Sequence, residues 1–414
     1  MLLTHKIQLN PNNKQAGYFA QAAGVSRFAY NWALAEWQRQ YEAGEHPNES
    51  KLRKQLNSIK REQYPWMLEV TKSAPQQAIK NLGVAFDRFF KKQGGYPRFK
   101  KKGIHDSFRA DNGPTRKGEH AVQVSGKRIK LARIGWVKMR EAVRFQGQIK
   151  SVTISKQAGR WFAAINIDTE DIPHQRKNQA SVATAVGVDL GVHNLAVLST
   201  GARIKGPKAY QKALKRIRFL NKELARRQKG SRNWVKTRQK LAKAHYRVAC
   251  LRKDALHKLT TELVLYHTLI GIEDLNVAGM LQNRHLSRAI SDQGFGEFRR
   301  QLTYKADWYG STLVIYPRFR PSSKMCCRCQ RIHEMSLSKR MMNCPCGNKM
   351  DRDLNAAINM RNYAVSSTAC GGDSAGLAEG LPGETVPVKQ EANIYLDSDW
   401  LDTSCKYQIV SDLQ

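Results

Sequence analysis

The chain has 414 residues, 41% of them hydrophobic, which is enough for buried cores in roughly two to four domains. Lysine and arginine number 70 against 34 acidic residues, so the formal net charge is +36, a surplus that indicates a nucleic-acid partner. The lack of a long apolar run, of an amphipathic basic anchor and of a secretory signal at the start argues against a membrane partner and predicts a cytoplasmic protein with reduced thiols.

The N-terminal part predicts a short strand followed by a helical block. Residues 6–9 suggest the strand, and residues 15–99 have a helical pattern that is clearest at 74–92. There Ser73 can cap the helix and Pro75 fits its first turn. The apolar residues at helical spacing, which we expect in a core, are Ile79, Leu82, Phe86 and Phe89.

A loop that mixes aromatic and basic residues follows at 91–102. Aromatic rings and cations suit stacked bases and a sugar-phosphate backbone, although a merely solvated basic loop fits this stretch equally well. The candidate nucleic-acid contacts in this loop are Tyr96, Arg98 and Lys100.

From residue 120 to 168 the hydrophobic period changes to two, which indicates strands. Residues 149–154 and 161–167 alternate on either side of a turn at 157–159 and predict a hairpin. We expect a small β-barrel or sandwich that the N-terminal strand joins, so that the helical block is an insertion in it.

A hairpin is then predicted from residues 185–190 and 194–198, followed by two long basic helices that meet near Gly230. Residues 205–258 contain 19 lysines and arginines and only two acidic residues, more positive charge than solubility requires. We interpret the charged face of these helices as a binding surface for a duplex backbone, with affinity that falls steeply with salt. The candidate contacts are Arg216, Arg226 and Arg227.

Three acidic residues stand at predicted strand ends or a helix start. Asp189 ends one strand, Glu273 ends a buried strand at 267–272, and Asp353 precedes a helix at 354–363, after a helix at 295–309 and a strand at 312–316. Converging carboxylates repel one another unless divalent cations lie between them. Since Mg²⁺ prefers hard oxygen ligands, we predict two Mg²⁺ ions, one activating a water and the other stabilising the leaving oxygen.

Each of these acids alone is more often structural. A single aspartate after a strand is usually a turn residue, and Asp353 could simply cap the last helix. Asp351 is a weaker candidate for the third position. The ordered triplet on so basic a chain is what predicts a metal-dependent nuclease, and its order is typical of RNase H-like nucleases.

Four cysteines predict a structural zinc site: Cys326, Cys329, Cys344 and Cys346. Their pattern is CxxC followed by CxC where a second CxxC is usual, which leaves Cys327 or His333 as a possible substitute for one ligand. Residues 364–414 contain eight acidic residues and two lysines, which leaves +42 on the rest, and their composition predicts a largely disordered tail.

The chain resembles the TnpB proteins of insertion sequences, relatives of the type V CRISPR nucleases. Several motifs together carry the resemblance: residues 28–34 (FAYNWAL), 96–100 (YPRFK), 187–191 (GVDLG), 272–275 (IEDL), 321–324 (PSSK), 344–347 (CPCG) and 351–357 (DRDLNAA). The resemblance runs from the first residues to about Tyr363.

The resemblance implies an RNA-guided DNA endonuclease, one protein per RNA, with a structured guide RNA from the transposon end and target double-stranded DNA as partners. Asp189, Glu273 and Asp353 would be catalytic, and Lys72 and Gln76 match positions that resemble readers of a target-flanking motif. The implied regions are a wedge-like β-barrel domain at 1–10 and 104–180, a helical recognition lobe at 11–103, an RNase H-like (RuvC-like) α/β domain at 181–320 and 350–365, a zinc-ribbon insertion at 321–349 and the tail at 366–414.

Two other functions compete with this one. A nuclease-inactive, RNA-guided repressor would have no need of the three acids. A DNA-strand transferase would call for a tyrosine or serine nucleophile, or for joining activity from the same acids.

Overall fold

The computed structural model describes residues 2–114, 120–170, 184–336 and 338–369. The described residues fall into two compact units, one ending at residue 170 and the other starting at residue 184. No helix of the described residues is long and apolar enough to cross a membrane.

The first unit combines an antiparallel sheet with three α-helices. Its strands are β1 (Leu2–Asn10), β2 (Ser107–Asp111), β3 (Val122–Ser125), β4 (Arg128–Leu131), β5 (Gly135–Met139), β6 (Gln148–Gln157) and β7 (Arg160–Asp168). Its helices are α1 (Asn13–Glu42), α2 (Glu49–Gln63) and α3 (Ser73–Phe90), with a 3₁₀ helix at Pro65–Glu69. The strand order is β2-β6-β7-β1-β5-β4-β3.

Strand β1 lies between β7 and β5, so the N-terminal strand joins this sheet as predicted. The predicted hairpin is confirmed as β6 and β7. Its turn residues, Ala158 and Gly159, both have positive φ (54° and 81°), the geometry whose twist suits a two-residue hairpin. Strands β2 and β3 are the edges of the sheet, and only an isolated bridge between Pro114 and His120 links the chain just after β2 to the chain just before β3 among the described residues, so barrel closure stays a prediction.

The predicted helix at 74–92 is α3, and three of its four predicted core residues, Ile79, Leu82 and Phe86, are buried, whereas Phe89 is only half-buried. The expectation that Ser73 caps this helix was wrong. Ser73 is the first helical residue, and its N–H group instead donates to Thr71 Oγ1 at 3.4 Å. A side chain already inside the first turn no longer reaches the free N–H groups that a cap must satisfy.

The second unit has a five-stranded sheet in the order β10-β9-β8-β11-β12. Its strands are β8 (Ala185–Leu190), β9 (Ala196–Leu198), β10 (Arg203–Ile204), β11 (Leu269–Glu273) and β12 (Thr312–Tyr316), and a separate small hairpin consists of β13 (Met341–Asn343) and β14 (Lys349–Asp351). Its helices are α4 (Ala209–Arg226), α5 (Arg232–Tyr266), α6 (Val277–Gln282), α7 (Ser287–Gln293), α8 (Phe295–Tyr309) and α9 (Arg352–Ala369). Strands β8, β11 and β12 are parallel to one another.

The two basic helices meet where the sequence predicts. Gly230 has a φ of +90°, which suits a glycine, and Ser231 caps α5 by accepting from Trp234 N–H at 3.1 Å. Ile217 of α4 and Val248 of α5 are buried in one apolar cluster, so this stripe is core.

The last helix is longer than predicted, since α9 continues to Ala369 instead of ending at Tyr363. Residues 364–369, which the composition assigns to the tail, are therefore helical. The rest of the predicted tail, residues 370–414, lies outside the described residues.

Candidate active site

Two glycines allow α9 to lie directly against the sheet. Gly187 of β8 and Gly271 of β11 are partners in the parallel register. A Cβ atom added to Gly187 would lie 1.8 Å from the carbonyl oxygen of Ala357, and one added to Gly271 would lie 2.5 Å from that of Met360. The helix backbone therefore occupies the space that any side chain at these two positions would need.

This contact determines where two of the predicted acids point. Side chains alternate along a strand, so Asp189 lies on the same face as Gly187, and Glu273 lies on the same face as Gly271. Both glycines face α9. The two carboxylates, at neighbouring strand ends, are therefore on the face of the sheet that α9 crosses.

The third acid, Asp353, lies in the first turn of α9, and Asp351 caps that helix. Asp351 Oδ1 accepts from the N–H groups of Asp353 at 3.0 Å and Leu354 at 3.2 Å, while Asp351 Oδ2 pairs with Arg203 Nη2 at 3.1 Å. The capping role that Asp353 could have had is thus filled by Asp351. The Asp353 carboxylate is half-buried, with Arg340 Nη1 4.0 Å away.

The electrostatics indicate that the Glu273 and Asp353 carboxylates lie near that of Asp189. Burial raises the pKa of Asp189 well above its ordinary value, and the charges of Asp353 and Glu273 raise it further. Burial also raises the pKa of Glu273, although the Ser322 hydroxyl, which donates to Glu273 Oε1 at 3.3 Å, acts in the opposite direction. Asp189 and Glu273 are oxygen donors whose raised pKa values disfavour their charged forms, and a divalent cation would stabilise those forms. The residues present therefore fit Mg²⁺.

Asp274, next to Glu273, does not belong to this cluster. Its carboxylate forms ion pairs with Arg299 Nη1 at 2.5 Å and Arg318 Nη2 at 2.7 Å. These two arginines pair with both of its carboxylate oxygens, so it is a poor candidate for a metal ligand, although its charge contributes to the raised pKa of Glu273.

Three polar residues that the sequence analysis missed connect the site to the cysteine region. Asn355 and Asn359 of α9 are buried, and both donate to the backbone carbonyl of Met325 at 2.7 Å. Asn359 also donates to the carbonyl of Ser322 at 2.8 Å, and the Ser322 hydroxyl reaches Glu273. Two asparagines four residues apart in an otherwise apolar helical stretch are the signal that could have revealed this clamp.

The four predicted cysteines form one group. The ligand atoms of Cys326, Cys329, Cys344 and Cys346 all lie within 4.8 Å of one another. The Cys326 and Cys346 sulfurs are 3.7 Å apart, and the Cys329 and Cys344 sulfurs are 3.4 Å apart. Four converging thiols suit a closed tetrahedral Zn²⁺ site.

Cys327 and His333, the two possible substitutes for a ligand of the CxC half, lie at different distances from the four cysteines. The Cys327 sulfur contacts Met350 Sδ at 3.7 Å and lies outside the group, while His333 Nε2 is 3.2 Å from Cys344 Sγ at its edge. A tight turn, closed by Gly347 N–H donating to the Cys344 carbonyl at 3.0 Å, brings the CxC pair together.

Replacement of Cys344 by serine is expected to reduce the zinc content from about one ion per chain to well below one and to lower the thermal midpoint, because a structural zinc contributes directly to folding. Metal analysis of the purified protein and a thermal melt measure both effects. Cys327→Ser is the matched control and should retain its zinc. A zinc-free Cys344→Ser protein with unchanged stability would contradict the structural role.

The predicted nucleic-acid contacts of the first unit differ in their exposure to solvent and in the residues they pack against. Lys72 and Gln76 lie one turn apart at the start of α3, with Lys72 exposed. Tyr96 packs edge-on against Phe86 at a ring-centroid distance of 5.6 Å, and Arg98 is exposed.

Lys100 is held by the first helix. Asn31 makes two hydrogen bonds with the Lys100 backbone, at 2.8 and 2.9 Å, and the Lys100 ammonium lies 3.9 Å from the Tyr30 ring centroid. Lys100 is exposed as a whole residue, yet burial around its ammonium group lowers its pKa to about 8. The ring therefore competes with any phosphate for this cation.

On the basic helices, Arg216 lies over the exposed ring of Phe219, with 5.5 Å between the guanidinium carbon and the ring centroid. Arg226 is exposed, whereas Arg227 forms an ion pair with Glu223 one turn earlier. Of these three predicted contacts, Arg216 and Arg226 are without a carboxylate partner among the described ion pairs.

Three family models match parts of the chain. The OrfB_IS605 family, described as "Probable transposase", matches residues 164–284, a family described as "Cas12f1-like, TNB domain" matches residues 295–360, and one described as "Helix-turn-helix domain" matches residues 1–46. In the described part of this match, residues 2–46, the structure has β1 and the 30-residue helix α1, without a second helix packed across a turn as this last description implies.

Two curated relatives match nearly the whole chain. A Streptomyces pristinaespiralis protein named "Putative RNA-guided DNA endonuclease" is 34% identical over 88% of this chain and 90% of its own length. The Escherichia coli (strain K12) protein "Putative RNA-guided DNA endonuclease InsQ" is 33% identical over 89% of this chain and 94% of its own length. Among solved structures, a CRISPR-Cas12f ternary complex is 14% identical with a TM-score of 0.35, covering 85% of this chain and 82% of that one, a likeness too weak to support a fold.

Proposed function

Since the chain belongs to the TnpB/IS605 transposase family, we propose that it is a transposon-encoded, RNA-guided DNA endonuclease. It binds a structured guide RNA from the transposon end, one protein per RNA, in the bacterial or archaeal cytoplasm. Lys72 and Gln76 read a short motif beside the target, and guide pairing reads the rest. Double-stranded DNA is then cut at one carboxylate site.

The convergence of Asp189, Glu273 and Asp353 is the observation that carries the nuclease proposal. A protein that only binds DNA has no use for an Asp189 whose pKa is raised by burial and by the charges of Asp353 and Glu273. Their position on a chain of formal charge +36 supports a phosphodiester as the substrate.

Two Mg²⁺ ions held by these carboxylates would supply an activated water and stabilise the leaving oxygen. The chain's own residues prepare this site. Asp351 and Arg203 fix the start of α9 and leave the Asp353 carboxylate available, and Ser322 orients Glu273 through its hydrogen bond. No side-chain nucleophile is needed, which favours hydrolysis over strand transfer through a tyrosine or serine.

The strand order β10-β9-β8-β11-β12, with α9 crossing β8 and β11, supports the RNase H-like (RuvC-like) description of this unit. The four cysteines lie in the chain between β12 and α9, which supports a zinc-ribbon insertion at that point of the domain.

Expression with the native flanking DNA, followed by sequencing of the copurifying RNA, is the first test. We expect one discrete, structured RNA that ends in sequence from beyond the element, because the guide must reach a target outside it. The purified complex should then cut DNA that matches this end.

Two other results would change the assignment. A heterogeneous mixture of cellular RNA would remove the guide from the proposal and leave a basic, metal-dependent nuclease. A discrete RNA with target binding but no cleavage in Mg²⁺ would support the repressor instead.

A further inference from the structure

Phe319 is exposed to an unusual degree. Its relative exposure is 95%, whereas Tyr41, the next of the large hydrophobic residues among those described, is 69% exposed. Single exposed apolar residues are common on protein surfaces, so exposure alone indicates little. The way in which the chain holds this ring is more informative.

The loop that carries Phe319 is fixed on both sides. Arg320 N–H donates to the Pro317 carbonyl at 3.1 Å, which closes a turn with Arg318 and Phe319 at its centre. Arg318 pairs with Asp274 at 2.7 Å, and the Arg320 guanidinium carbon lies 5.2 Å from the centroid of the Tyr363 ring. The neighbours of Phe319 are thus anchored while its own ring remains in solvent.

This turn lies beside the carboxylate site. Tyr316 is the register partner of Glu273 in the parallel pairing of β11 and β12, and Ser322 donates to the Glu273 carboxylate. Phe319 is three residues along the chain from both Tyr316 and Ser322, and three residues of chain span at most about 11 Å. The ring therefore stands within a few nucleotides of any phosphate bound at that site.

We infer that Phe319 is a stacking platform for an unpaired base of the DNA strand that enters the carboxylate site. The inference rests on the proposed endonuclease function. Aromatic faces bind single-stranded DNA without regard to base identity, and the adjacent Arg320 adds positive charge for the backbone. Stacking at this distance holds a strand across the carboxylates and limits its sliding.

Abasic sites placed one at a time along the cleaved strand test this contact in the RNA-bound protein. In the wild-type complex, the abasic site opposite Phe319 should slow cleavage about tenfold, a loss that corresponds to about 1.4 kcal/mol of stacking. Phe319→Ala should be about tenfold slower on intact DNA and insensitive to that abasic site, whereas Phe319→Trp should behave as wild type. Because the ring is exposed, thermal stability and RNA binding should not change in either variant.

A second measurement does not depend on cleavage. The Asp189→Asn complex is bound to target DNA that carries 5-iodouracil and is irradiated, and we expect a cross-linked peptide that contains Phe319. Wild-type cleavage by Phe319→Ala, an undiminished abasic effect in that variant, or cross-linking to iodouracil placed in the RNA alone would each overturn the inference. If the wild-type protein cut no DNA, the proposed function would fail, and the cross-link would still decide whether Phe319 contacts the strand.

Discussion

Replacement of Asp189 by asparagine is expected to abolish target cleavage while RNA binding and target binding stay unchanged. The substitution removes one charged ligand of the proposed Mg²⁺ site and keeps the shape of the side chain. Metal-assisted charge stabilisation is worth several kcal/mol, and each 1.36 kcal/mol is tenfold in rate, so we expect a loss of roughly 100-fold or more. A cleavage assay with the copurified RNA, together with a gel-shift assay, measures the two effects separately.

The same variant should show a change in pH-dependent stability. The pKa of Asp189 is raised in the folded protein, so folding takes up a proton. Without added Mg²⁺, the wild-type protein should therefore lose stability as the pH rises from the unfolded pKa of the carboxyl through its higher folded value. Asp189→Asn should lack this loss and be the more stable protein at neutral pH.

Asp254→Asn is the matched control for Asp189→Asn. Asp254 is an exposed acid of α5 that pairs with Lys258 one turn later, so its replacement changes the net charge equally without touching the site. We expect wild-type cleavage. Loss of RNA binding in Asp189→Asn would mean that Asp189 is a structural residue.

Replacement of Gly187 by alanine is expected to destabilise the second unit by about 3 kcal/mol or more and to abolish cleavage. The new Cβ would meet the backbone of α9 at Ala357, and a backbone carbonyl within a helix has no rotamer by which to move aside. Any shift of α9 also displaces Asp353 from the other two carboxylates. Thermal or urea unfolding and the cleavage assay measure the two consequences.

Gly271→Ala should have a smaller effect of the same kind, because its nearest contact is the Met360 carbonyl at 2.5 Å. Gly296→Ala is the control, since a Cβ at Gly296, in the first turn of α8, meets nothing within 4 Å. It should be neutral or stabilise the protein by up to about 1 kcal/mol. A Gly187→Ala protein with wild-type stability would show that α9 does not pack on this strand.

The local patterns of the chain were sufficient for the long helices and the paired strands that were predicted individually, but not for the short elements such as α6, α7, β13 and β14. The strand at Thr312–Tyr316 and the helix at Phe295–Tyr309 have the predicted bounds, because hydrophobic periodicity and flanking glycines act over a few residues. The predicted cap at Ser73 was wrong because a local pattern does not fix the residue at which a helix begins. Serine and threonine can both accept a capping hydrogen bond, and here Thr71 accepts from the N–H group of Ser73, which is already helical.

The sequence by itself determined which acids and cysteines are candidates for metal sites, since strand ends, helix starts and cysteine spacing are local features. Only the tertiary structure decided which of two neighbouring aspartates caps α9. It also revealed that Gly187 is a contact surface for a helix some 170 residues away, and that Phe319 is exposed to solvent in the turn between Tyr316 and Ser322, the two residues that adjoin Glu273. These facts depend on partners that are distant in the chain, and no local pattern records which backbone or side chain a residue will meet.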